Sequence, residues 1–189
     1  MRQDWAAARI IVKMRASIVK RFEGYWRLEV LNIFLIPAAT VFFLITTSQN
    51  IGWIFWVCYL PNVLLLLIGG LYWRAKLAKA KGNGEVLAHF LPWAARGKLP
   101  SLILTVAATL LFAASLFGFV RTESSGESIA SGFFVFLAIA EYVNYYFVQL
   151  QHFDNLPDWQ RLLAGNGFRK AHLRRDLDKM ISRSRVDSN

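Results

Sequence analysis

Acidic charge is scarce in this sequence: 12 Asp and Glu stand against 22 Lys and Arg, and charged residues of either sign make up only 18% of the chain. With a hydrophobic share of 56%, that lies well to the apolar side of a soluble domain. Cysteine is nearly absent. The single Cys58 excludes an internal disulfide, and within an apolar run it reads as a small packing residue. The chain also lacks a P-loop, a Gly-x-Ser-x-Gly elbow, a His-Glu-x-x-His helix and a Cys-x-x-Cys pair, which removes the activities that those motifs carry. Its histidines are few: His152 beside Asp154, and a separate His89 and His172. A metal needs three or more converging ligands, so neither a metal nor another cofactor is expected.

What is present is four long apolar runs, roughly 28–47, 51–73, 99–120 and 129–150. Each approaches or exceeds the ~20 residues a helix needs to cross ~30 Å of hydrocarbon. Lipid offers the backbone no hydrogen-bond partners, so runs of this kind form helices. The expected fold is therefore an all-α integral membrane protein, a bundle of four transmembrane helices over 28–150 with a basic cytoplasmic loop at 74–98. An amphipathic interfacial helix within 1–27 precedes the bundle, and a basic tail with short cytoplasmic helices, 151–189, follows it.

The basic residues are distributed unevenly. Of 22, only Arg121 falls outside the N-terminal segment, the central loop and the tail. The positive-inside rule then places both termini and that loop in the cytoplasm, at a cytoplasmic (inner) membrane. A net charge of +10 confined to one membrane face points to anionic lipid headgroups rather than to nucleic acid. In the N-terminal segment Ala7, Ile11, Met14, Ile18 and Phe22 recur at helical spacing, with Arg2, Arg9, Lys13 and Lys20 opposite them. This is the pattern of a helix lying on the inner leaflet. In the tail, a helix over about 168–181 would set Phe168, Leu173, Leu177 and Met180 on one side, with Arg169, Lys170, Arg174 and Arg175 free for lipid or for a partner. The Gly82-Asn83-Gly84 and Gly165-Asn166-Gly167 stretches should each stop a helix. The segment 85–93, ended by Pro92, is expected at the interface.

Polar residues inside the runs are the candidates for function. Glu141 falls about twelve residues into the fourth run, near mid-membrane, where a charged carboxylate costs about 2.5–3.5 kcal/mol on insertion scales. Asn144 and Tyr145 follow at three and four residues, on the same helix face. Asn32 and Asn62, from the first two runs, are the expected partners of Glu141. Pro37 and Pro61 kink those two runs near mid-membrane and can shape a cavity or a hinge. Tyr142, Tyr145 and Tyr146 fit an interfacial aromatic belt, as do Trp26, Trp53, Trp56, Tyr72 and Trp73.

Glu141 admits three roles: an interhelical hydrogen bond that fixes packing, a proton or cation site on a transport path, or an acid or base acting on a lipid-borne substrate. With no catalytic set and short external loops, the expected function is that of a non-enzymatic scaffold, anchor or sensor subunit. It would assemble as a homo-oligomer or with a cytoplasmic protein partner. An oligomeric channel or transporter built on Glu141 and Asn144 is the alternative, and a lipid-modifying enzyme is the third.

Overall fold

A computed structural model describes residues 2–150, 164 and 167–187. The described residues are all-helical: α1 (Arg2–Thr46), α2 (Trp53–Ala80), α3 (Glu85–Leu116), α4 (Ser125–Tyr146) and α5 (His172–Asp187). Four helical stretches are long and apolar enough to cross a membrane: Ala16–Thr46, Trp53–Ala80, Glu85–Leu116 and Ser125–Tyr146. Even the shortest, at 22 residues, extends about 33 Å at 1.5 Å per residue.

Helix α2 is the centre of the bundle. It packs against α1, α3 and α4, and 61% of its most apolar stretch is buried within the protein, against 11% for α1. α3 also packs on α4, whereas α1 lies outside, joined to the bundle almost entirely through α2. One core cluster fills the far end around Leu44, Phe55, Tyr59 and Phe134. The other fills the end carrying α5, around Ile68, Tyr72, Trp73, Tyr146, Leu173 and Leu177.

Several element boundaries differ from those in the sequence reading. No break separates the N-terminal segment from the first span, because α1 is continuous from Arg2. The side chains of its residues up to 13, with Arg2, Arg9 and Lys13 among them, lie outside the described residues. Met14 and Ile18 are exposed, while Phe22 packs 5.5 Å from the Trp73 ring. The basic loop expected at 74–98 contracts to a turn at 81–84. α2 runs on to Ala80, and α3 begins at Glu85 and passes through both Pro92 and Pro100. A proline costs a helix one backbone bond and some crowding, which membrane helices absorb. The stop at Gly82 is real: its φ of +105° closes the α2 terminus, with the Asn83 amide bonded to the Ala78 carbonyl at 3.0 Å.

At the other end α4 stops at Tyr146, short of the expected 150. An isolated antiparallel bridge pairs Val148 with Lys170 and carries the chain toward α5. The tail helix starts at His172; Leu173 and Leu177 are buried and Met180 packs against the core, but Phe168 precedes the helix and is exposed. Residues 151–163 of the basic tail, His152 and Asp154 among them, lie outside the described residues.

Candidate functional site

Three helices meet around two carboxyl groups. Gly69 and Gly70, adjacent on α2, present opposite sides of bare backbone. A Cβ at Gly69 would stand 2.1 Å from the Tyr145 hydroxyl, so that hydroxyl of α4 occupies the space a side chain would fill. A Cβ at Gly70 would stand 2.9 Å from Val30 and 3.5 Å from the Cβ of Glu29 on α1. The glycine pair therefore draws α1 and α4 onto α2 at the same level, as small residues do at membrane helix contacts.

The result is that Glu29, absent from the sequence-based candidates, faces Glu141 and Tyr145. Glu29 and Tyr145 are 7% and 4% exposed. The two carboxyls are close enough to repel, and the Tyr145 hydroxyl is within reach of both. Neither that hydroxyl nor Glu141 Oε2 completes a hydrogen bond of normal geometry, although both atoms are buried. Among the described residues no lysine or arginine forms an ion pair with Glu29 or Glu141. Asn144 lies against Glu141 and accepts the Leu150 amide at 2.9 Å.

The other expected members fall elsewhere. Asn62 is fully buried but donates to the carbonyls of Phe134 (3.0 Å) and Cys58 (3.4 Å), about two helical turns from Glu141. Its role is to tie α2 to α4. Asn32 is half-buried on α1, one turn from Glu29. Glu141 lies little more than a turn from the end of α4. Tyr142, Tyr145 and Tyr146 are all buried, as are Tyr72 and Trp73, and so do not form a lipid-facing belt; Trp53 and Trp56 are exposed. They are core because α5 and the start of α3 cover this end of α2 and α4. Pro37 leaves the Ile33 carbonyl without its helical donor, and the Tyr59 hydroxyl takes that place.

A second buried carboxylate outside the candidate list is Glu127, 1% exposed. Its Oε1 accepts the Phe55 amide of the first turn of α2 at 3.2 Å, and its Oε2 accepts the Glu123 amide at 2.6 Å. Ser124 in turn accepts the Glu127 amide at 3.0 Å and caps α4. A serine followed three residues later by a glutamate is a capping-box pattern, which is the signal that marks this residue. Glu127 thus has partners for both oxygens, unlike the Glu29–Glu141 pair.

At the α5 end, Asp176 accepts from the Tyr72 hydroxyl at 2.9 Å and from Lys76 at 3.1 Å. Burial works to raise its pKa, but Lys76, the Tyr72 hydroxyl and Lys179 outweigh it and hold the carboxyl below its ordinary value. His172, 5.6 Å from the Trp73 ring, is pushed down to about 4 by burial and by Arg175, Lys76 and Arg21, against the pull of Asp176. Of the basic residues expected to be free for lipid, Lys170 and Arg174 share Asp178, and Arg175 contacts His172; Lys20 is exposed.

Comparison with protein-family models, with curated proteins and with solved structures finds no match. The class of protein is therefore defined by the chain itself: its described residues are all-helical, with four helices among them long and apolar enough to cross a membrane.

Proposed function

We propose that this chain is a non-enzymatic sensor subunit of the membrane, which holds a proton or small cation between Glu29 and Glu141 and links its occupancy to the packing of α1 on the bundle. One observation carries the reading: two carboxyls from different helices face each other around a buried tyrosine hydroxyl within reach of both, with no lysine or arginine among the described residues ion-paired to either. Two negative charges out of water repel and are poorly solvated, and a bound proton or cation relieves both costs. An ionisable pair within helices long and apolar enough to cross a membrane is a functional site by default. Because α1 joins the bundle mainly through α2, the charge between Glu29 and Glu141 acts directly on the contact that holds α1 in place. In the orientation that accompanies this reading, α5 and both termini are cytoplasmic, supported by the gathering of every Lys and Arg but Arg121 on that side. The same face would receive a cytoplasmic partner or a second copy of the chain.

The test is infrared difference spectroscopy on the detergent-solubilised protein, stepping pH in one series and Na⁺ or K⁺ concentration in another. A carboxyl band should respond in the wild type, vanish in Glu29→Gln and Glu141→Gln, and shift in Tyr145→Phe. An identical response in wild type and both glutamine variants defeats the proposal. Which series produces the response tells a proton from a metal cation.

A further inference from the structure

At the end of the bundle carrying α5, a cavity of about 420 Å³ opens between the start of α3, the end of α2 and α5. Its rim carries Lys79, Lys179 and Arg183, none of which forms an ion pair among the described residues. The carboxylate at its edge, Asp176, is already held by Lys76 and Tyr72. Its floor is apolar, formed by Leu87 and Leu91 of α3 and Met180 of α5. Gly84, also on the wall, heads α3 and has no side chain to cap the amides of the first helical turn.

We infer that this cavity binds a phosphate group, with Lys79, Lys179 and Arg183 as its cationic clamp. Three cations of mixed type outnumber the single carboxylate on this wall, Asp176, whose charge Lys179 feels but whose bonds go to Lys76 and Tyr72. They suit a compact, multiply charged oxyanion, for which arginine offers a fork and lysine a point charge. The open end of α3 adds amides and a partial positive charge on the same wall. The volume lies in the range of small-ligand sites, and the leucine floor gives the carbon skeleton behind the phosphate an apolar seat. The cavity lies where the bundle's basic residues concentrate, so the phosphate arrives either on an anionic lipid or on a soluble phosphate compound. This site is independent of the Glu29–Glu141 pair.

The test uses the full-length chain in detergent, incubated separately with phosphatidylglycerol, with phosphatidylcholine and with inorganic phosphate. Retained ligand is read by native mass spectrometry and protection by thermal unfolding. The variant Lys79→Gln/Lys179→Gln/Arg183→Gln is compared with Lys20→Gln/Arg96→Gln/Arg121→Gln, which removes the same charge from residues that do not line the cavity. The cavity variant should lose phosphatidylglycerol by about a hundredfold, each single substitution by about fivefold, and the control variant by little. The single substitutions decide the matter should the triple variant not fold. Preference for phosphatidylglycerol assigns the phosphate to a lipid, and equal protection by inorganic phosphate assigns it to a soluble compound. Equal loss in cavity and control variants, or full retention by the cavity variants, overturns the site.

Discussion

The Tyr59 hydroxyl of α2 donates to the Ile33 carbonyl of α1, the acceptor that Pro37 deprives of its amide. One side chain thus repairs a proline defect in the neighbouring helix and fastens the two helices together. Tyr59→Phe should cost about 1 kcal/mol, at the upper part of the range for interhelical bonds in membranes, because it leaves a carbonyl unpaired. Pro37→Ala restores the amide, so in that background Tyr59→Phe should cost less. A double-mutant cycle by unfolding in a mixed detergent reads the difference. Strict additivity would separate the tyrosine from the proline.

The apolar runs were legible because crossing a membrane demands length and hydrophobicity, which a linear scan detects. Their ends were not. Pro92 looks like a stop, yet α3 passes through it and through Pro100, since a proline's local cost is outweighed by continuing a helix whose flanks are packed. Glu141 stood out because it interrupts an apolar run. Its partner Glu29 did not, lying at the edge of the first run beside Arg27, where it reads as part of a charged boundary. No periodicity reveals that Gly69 and Gly70 bring these two acids to one level; that follows only from which helices pack on α2. Asn62 had the right chemistry in the wrong register and found the Phe134 carbonyl instead.

Gly69 is the position on which the acid cluster rests. A methyl there would stand 2.1 Å from the Tyr145 hydroxyl and 2.4 Å from its Cζ, so the ring as well as the hydroxyl must move. Gly69→Ala should destabilise the bundle by about 1–3 kcal/mol, as overpacking does. Tyr145→Phe keeps the ring and should not rescue it, whereas Tyr145→Ala should recover part of the loss. Thermal unfolding of the single and double variants checks this, and a neutral Gly69→Ala would mean that α4 does not seat on the glycine.

Glu127 anchors the opposite end of the molecule. It accepts the Phe55 amide in a helix whose own N-cap, Gly52, supplies no side chain, and the Glu123 amide in the connecting loop. Glu127→Ala strands both donors, one of them at the buried start of α2, for a cost of about 1–3 kcal/mol. Hydrogen exchange should show lost protection at Phe55 and Glu123 while the α5 end of α2 is unchanged. Uniform loss along α2 would mean that the residue supports the whole bundle rather than this cap.

The docking of α5 should weaken in two steps as the solution is acidified. His172 has a folded pKa of about 4 against an ordinary 6.5, so the folded state disfavours its proton. Its contribution is complete above 6.5 and is lost as the pH falls from 6.5 through about 4. Asp176 is also held below its ordinary 3.8, so its contribution is complete above that value and is lost below it. Both residues act in the same direction, the histidine first. The geometry explains the order: a charged imidazole would face Arg175 at 2.6 Å, with Lys76 and Arg21 beside it, whereas Asp176 keeps its Lys76 and Tyr72 bonds until it is itself protonated. Amide exchange across His172–Asp187, followed from pH 7 downward in detergent, should rise first between 6.5 and 4. His172→Gln should abolish that first rise and leave the second. Asp176→Asn should loosen α5 already at neutral pH, because the amide cannot replace the carboxylate opposite Lys76. A first rise that persists in His172→Gln would assign it to another group and remove the histidine from the docking of α5.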